Sequence, residues 1–353
     1  MNMVCSKGLI VGIDATNLRR GGGITHLVEL LTAGVPANHG ITKIVVWGSE
    51  QTLCKLPCRA WLKKINPVML NKGIVARTIW QLFSLTRAAR VELCDVLFVP
   101  GGYYFSEFRP IVTMSRNLLP FEWIELLRYR KSFIFFRLLA LRYLHCHSYK
   151  CADGMIFLTE YAKNAVLKVT GLFAGKVSMI PHGISPQFQL PPRDQCLIDD
   201  YNTVKPFRLL YVSIIEQYKH QWHVVEAVHI LRAQGLPVVL ELVGPASPAA
   251  LVRLNDSITK FDPKKQWVCY HDAVPFELLN TLYAQADMGL FASSCENMPN
   301  ILLETMASGL PVACSSRGPM PEILGEAGLY FDPESPIEIA QSLRKYIDSP
   351  VLR

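Results

Sequence analysis

Short runs of consecutive apolar residues alternate along the chain with stretches whose apolar residues recur every three or four positions. Leu9-Ile10-Val11-Gly12-Ile13-Asp14 is the first run, the pattern of a strand buried on both faces. A polar loop with Gly21-Gly22-Gly23 follows. Ile24, Leu27, Val28, Leu30 and Leu31 then follow helical spacing. Strand patterns recur at 44–47, 96–99, 111–114, 155–158 and 177–180, the last just before Pro181-His182-Gly183. Strands alternating with helices predict a parallel sheet covered on both faces. Residues 189–206 interrupt the pattern: they are polar, carry three prolines and show no period, as a linker should. The alternation resumes at 209–212, 238–243, 288–291 and 312–314, with a helix over 224–235 that ends on glycine. The pattern therefore predicts two α/β domains, residues 1–188 and 207–353, joined by the linker 189–206. A cleft is expected between the carboxyl edges of their strands.

Length agrees, since 353 residues exceed one ordinary core. Half of the residues are hydrophobic and 18% are charged, yet no stretch approaches the roughly 20 uninterrupted apolar residues of a spanning helix. The N-terminus lacks the apolar region and cleavage site of a secretory signal, so a cytoplasmic chain is expected. A net charge of +7 is a weak guide to partners, and nothing points to nucleic acid. Ten cysteines are scattered without a CxxC pair and read as reduced, packed thiols. The cluster His145, Cys146, His147 and Cys151 fits no standard zinc spacing, and no metal is expected.

The densest local chemistry lies in residues 293–315, SSCENMPNILLETMASGLPVACS. A strand feeds a polar loop there, and Pro299 falls near a helix start, where its missing N–H is harmless. Glu296 sits in the loop and Glu304 one to two turns into the helix. A helix start offers free N–H groups and a positive dipole end, which suits a diphosphate. A nearby carboxylate can accept from the vicinal hydroxyls of a ribose or hexose. On spacing alone a second reading also holds, with Glu296 as a helix cap and Glu304 solvated. The triple glycine lacks the G-x-G-x-x-G spacing of a dinucleotide site.

The segment resembles the signature of the glycosyl-transferase group 1 family. That signature has two glutamates separated by seven residues, here Glu296 and Glu304, then Met306-Ala307-Ser308-Gly309 and Pro311-Val312. Pro321-Glu322-Ile323-Leu324, Ala327-Gly328, Phe331-Asp332-Pro333, Leu242-Val243-Gly244 and Ile180-Pro181-His182-Gly183-Ile184 extend the likeness over most of the chain. The resemblance implies the GT-B fold, two Rossmann-like α/β domains facing across a cleft. It implies a retaining, metal-independent glycosyltransferase that uses a nucleoside-diphosphate sugar as co-substrate and no other cofactor. By position, Glu296 would contact the donor sugar and Glu304 the ribose. Met298, Pro299 and Asn300 would line the sugar and phosphates through their backbone. Lys219 stands where the family places a diphosphate-binding lysine, and Gly22 and Gly23 match its glycine loop.

Three positions depart from the family. Arg116 and Asn117 stand in Ser115-Arg116-Asn117-Leu118-Leu119-Pro120 where many members carry His-Asp, at the donor sugar and reaction centre. Ile214 stands where an arginine is usual. Arg116 could pair with phosphate and Asn117 with a hydroxyl, or both could tie down a loop. The departure keeps a non-catalytic sugar-nucleotide-binding scaffold as the alternative. Residues 121–150 combine Arg128, Arg130, Lys131, Arg137 and Arg142 with Trp123, Phe133, Phe135 and Phe136, and 71–90 is similar. They read either as packed helices with solvated arginines or as elements lying on an anionic membrane. The second reading makes the protein peripheral on the inner face of the plasma membrane, with a lipid-linked saccharide of cell-envelope polysaccharide synthesis as acceptor. The end at Arg353, without a further helix, reads as a possible truncation.

Overall fold

The computed structural model describes residues 8–19 and 21–353. The chain divides into two compact units, Met1–His182 and Gly183–Arg353. The first is built on seven strands: β1 (Leu9–Asp14), β2 (Ile41–Trp47), β3 (Leu62–Ile65), β4 (Val96–Val99), β5 (Ile111–Met114), β6 (Gly154–Phe157) and β7 (Lys176–Met179). All pair in parallel, in the order β3-β2-β1-β4-β5-β6-β7. The second holds six: β8 (Phe207–Val212), β9 (Val238–Val243), β10 (Val268–His271), β11 (Met288–Phe291), β12 (Val312–Ser315) and β13 (Leu329–Phe331). They too are parallel, in the order β10-β9-β8-β11-β12-β13. Both orders are those of a dinucleotide-binding α/β fold, which reverses direction beside its first strand and leaves a crevice at the carboxyl ends.

The apolar runs explain the central strands. Val45, Val46, Leu97, Leu209, Leu240, Met288 and Ala313 are wholly enclosed by helices on both faces, as a parallel sheet requires. Three strands, β3, β10 and β13, escape the hydrophobic pattern. They are at or near the sheet margins, and their sequences, LKKI, VCYH and LYF, are short or half polar.

Residues 189–206 lie in the second unit and pack onto it. Phe188 is fully buried beside Tyr283 and Phe276, Leu190 N–H donates to Ala307 O (3.1 Å), and Tyr201 stacks edge-on against Phe207. Gly309 ends the helix Asn300–Ala307 with φ +67°, and a Cβ there would stand 2.9 Å from Pro192. Only glycine meets both demands without strain.

The stretch 121–150 is two helices, Trp123–Leu127 and Phe133–Cys151. His145 is buried among the rings of Tyr103, Phe121 and Tyr149, and burial lowers its pKa to about 4. Among the described residues no helix is long and apolar enough to cross a membrane.

Candidate functional site

In the second unit the loops after β8 and β11 are neighbours, because those strands pair directly. The β8 loop ends in a short turn, Gln217–Lys219, and His220 takes a left-handed conformation (φ +54°) at the start of the helix Gln221–Ala233. The β11 loop is tied to it. Ser294 N–H donates to Tyr218 O (2.8 Å), and Ser294 Oγ lies 2.9 Å from His220 Nε2. Ser293, Ser294, Cys295 and Asn297 are buried, so the loop is held as a rigid wall.

Lys219 and Glu296 meet on this wall. Their side chains form an ion pair with only 7% and 15% exposure. The ammonium also lies over the rings of Tyr218 (5.3 Å) and Phe291 (5.0 Å), and Tyr211 Oη donates to the Lys219 carbonyl (2.8 Å). A largely desolvated pair of this kind persists only where its partners satisfy it. β9 closes the same edge: a Cβ on Gly244 would collide with the Ser213 carbonyl, and its φ of +139° demands glycine as well.

Glu304 lies on the helix Asn300–Ala307, whose start at Pro299 has no side-chain cap. Asn300 N–H donates to Met298 O (3.0 Å) and Leu303 N–H to Pro299 O (3.2 Å). The Glu304 carboxyl is half-buried, and desolvation raises its pKa to about 7, against a hydrogen bond from Tyr283 Oη (3.5 Å) that lowers it. Glu304 is therefore not a solvated surface group, and Glu296 makes a salt bridge rather than a helix cap.

The residues expected from the first unit form their own cluster there. The helix Gly22–Ala33 begins at the glycines, behind Gly21 (φ +69°). A Cβ at Gly21 or Gly22 would meet nothing within 4 Å, which leaves that backbone open to close approach. Arg116 donates to Gly22 O (2.8 Å) and Gly23 O (3.3 Å). Burial lowers its pKa to about 10. Asn117 accepts from Leu119 N–H (3.2 Å) and so shapes its own turn. His26 and His182 stack at 4.3 Å beside Arg116. Burial, then the charges of His182 and Arg116, push the pKa of His26 down to about 3, which keeps that imidazole neutral at physiological pH. Ile214 is exposed.

Several of these residues were invisible to sequence reasoning. Tyr283, Tyr218, Phe291 and His220 act through contacts between segments far apart in the chain, and no local spacing announces them. The His26–His182 stack joins the first helix to the Pro-His-Gly segment, which the pattern marked only as a strand end.

Two parallel-sheet, Rossmann-like domains with this order define the GT-B class of fold. A sucrose-phosphate synthase from Thermosynechococcus elongatus superposes with a TM-score of 0.74, at 16% identity, over 98% of this chain and 91% of that one. The Anabaena protein HepE, solved with UDP and glucose, gives a TM-score of 0.67 at 16% identity, over 97% and 90% of the two chains. Within that class, residues 206–349 match the family described as "Glycosyl transferases group 1". Among characterised proteins, the chain is similar to the O-antigen chain mannosyltransferase B of Escherichia coli, 24% identical over 200 residues, which is 54% of this chain. The match spans about half of that protein, 51% of its length.

Proposed function

We propose that the protein is a retaining glycosyltransferase that moves a hexosyl or pentosyl group from a nucleoside-diphosphate sugar to a saccharide or lipid-linked saccharide in cell-envelope polysaccharide synthesis. The observation that carries this reading is the Lys219–Glu296 pair, enclosed at the carboxyl edge of the second sheet and followed by the half-buried Glu304. Lys219 is neutralised by Glu296. A diphosphate would take over the ammonium and release Glu296 to accept from sugar hydroxyls. Glu304 would accept from the two ribose hydroxyls, with Met298, Pro299 and Asn300 lining the sugar and phosphates.

In the reaction the bond between the anomeric carbon and the diphosphate oxygen breaks, and negative charge grows on the leaving group. Lys219 and the backbone around Gly22 and Gly23 would stabilise that charge. The acceptor hydroxyl attacks from the same face and passes its proton to the departing phosphate, so no protein nucleophile or metal ion is required. Arg116 and Asn117 would orient the sugar and acceptor. HepE, solved with UDP and glucose, has the same fold, and the O-antigen mannosyltransferase relative supports a polysaccharide product.

The acceptor side is proposed to rest on an anionic membrane face. The first unit exposes Ile74, Val75, Leu82 and Phe83 on the helix Ile74–Phe83, and further along the chain Trp123, Ile124, Phe133 and Phe136. Arg128, Arg130, Lys131, Arg137 and Arg142 accompany the second group. Apolar side chains among basic ones suit a peripheral enzyme at the cytoplasmic leaflet.

A thermal-shift panel of UDP, GDP, ADP and CDP tests the reading. One nucleotide at 100 times its Kd should stabilise the fold by about 2.7 kcal/mol, and Lys219→Ala should weaken that nucleotide about tenfold or more. No shift with any of the four would overturn it. A nucleotide that binds while no sugar donor is turned over on any acceptor would favour the scaffold. That alternative draws on Arg116, whose guanidinium is engaged by Gly22 and Gly23.

A further inference from the structure

Two guanidiniums in the first unit are held on the carboxyl edge of its sheet without a salt bridge among the described residues. Arg19, in the loop after β1, donates through Nη2 to Leu70 O and to Lys72 O (3.2 Å). Arg77, on the helix Ile74–Phe83, donates through Nη1 to Thr16 O (3.2 Å) and Asn17 Oδ1 (3.4 Å). The Nε atoms of both are buried and have no hydrogen-bond partner among the described residues. Asp14, at the end of β1, accepts instead from Thr16 N–H (3.0 Å) and Gln81 Nε2 (2.5 Å).

The two charges are close enough to feel each other. Burial, then the neighbouring Arg19, lowers the pKa of Arg77, while the Tyr103 phenol raises it. Tyr103 in turn is near Asp14, which is engaged by Thr16 and Gln81, and near Arg137, a third cation. Carbonyl contacts alone would account for one arginine that ties loops together. A second guanidinium beside it, again paired only with neutral acceptors, adds like-charge repulsion that a neutral partner does not relieve. A bound dianion relieves it, and guanidiniums match phosphate oxygens in pairs. The exposed flank of the same helix is apolar, through Ile74, Val75, Leu82 and Phe83, so the anion's neighbourhood suits a hydrocarbon substituent.

We propose that Arg19 and Arg77, with Tyr103 beside them, bind a phosphate or diphosphate group carried by the acceptor. The word acceptor rests on the glycosyltransferase reading; the anion site rests on these residues alone. The shared chemistry is a phosphate dianion, borne either by a soluble sugar phosphate or by an isoprenoid lipid.

Calorimetric titration of the full chain with inorganic pyrophosphate and with farnesyl diphosphate tests it. A Lys219→Ala background removes the lysine of the second unit from the measurement. Adding Arg77→Gln or Arg19→Gln should weaken pyrophosphate about tenfold or more, and Arg77→Lys should recover part of the loss. Thermal unfolding of each variant checks the fold, and the two arginines give independent readings if one variant is unstable. Equal affinities for the two probes assign the site to a soluble phosphate; tighter, arginine-dependent binding of farnesyl diphosphate assigns it to a lipid headgroup. Arginine-dependent binding in a protein that binds no nucleotide would keep the site and discard the glycosyltransferase reading. Pyrophosphate that fails to bind, or binds equally well after both Arg→Gln changes, overturns the proposal.

Discussion

At the residue scale the second unit carries two carboxylates in different states. Glu296 is ion-paired with Lys219, whereas the Glu304 carboxyl is desolvated and has a pKa near 7. A folded-state pKa raised from 4.5 to about 7 means that the folded protein holds this proton more tightly than the unfolded chain. Glu304 therefore lowers stability as pH rises through that window, by about 3 kcal/mol in all. Glu304→Gln should remove the slope, so the variant should be more stable than the parent at pH 8 and little changed at pH 4.5. Urea denaturation at the two values checks this. The ribose hydroxyls would donate to the ionised carboxylate, so nucleotide affinity should fall as pH drops below about 7. Glu304→Gln should flatten that dependence and bind more weakly at pH 8. An unchanged pH profile in the variant would exclude Glu304 as the titrating group.

The motif segment shows at the element scale what a sequence can and cannot display. Strand, loop, helix and glycine stop over residues 288–309 follow from apolar runs, Pro299 and Gly309, and the structure places them within a residue or two. What surrounds the glutamates was not legible, because the partners come from other segments: Lys219 from the loop after β8, Tyr283 from the helix Leu279–Gln285. Strands β3, β10 and β13 were missed for another reason. Sheet margins bury less, so Lys63, Lys64 and His271 break the apolar pattern without breaking the strand. Gly309 lies at the junction of the motif helix with residues 188–192. Gly309→Ala should destabilise the protein by about 1–3 kcal/mol, combining a left-handed backbone with a tight approach to Pro192. Chemical denaturation reads this out, and a change below about 0.5 kcal/mol would contradict the packing described.

For the whole molecule, two doubly wound sheets arise from the alternation of buried strands and helices, and both units were legible from it. The region read as a linker is a packed strap on the second unit. Its prolines and polar residues hid single anchors, Leu190 and Tyr201, that no period could reveal. The first unit's exposed apolar side chains give the prediction at this scale. The protein should float with anionic vesicles at physiological salt, and Phe83→Asp together with Phe133→Asp should abolish flotation. Recovery of the wild-type protein only in the pellet or soluble fraction would exclude the membrane face.

A nucleoside diphosphate is proposed to be held on the second unit by Lys219, Glu296 and Glu304. Amide hydrogen exchange of the full chain, with and without the stabilising nucleotide, tests it most directly. Protection should concentrate in residues 217–221 and 293–305 and be lost in Lys219→Ala. Nucleotide-dependent protection that avoids both segments would contradict the account.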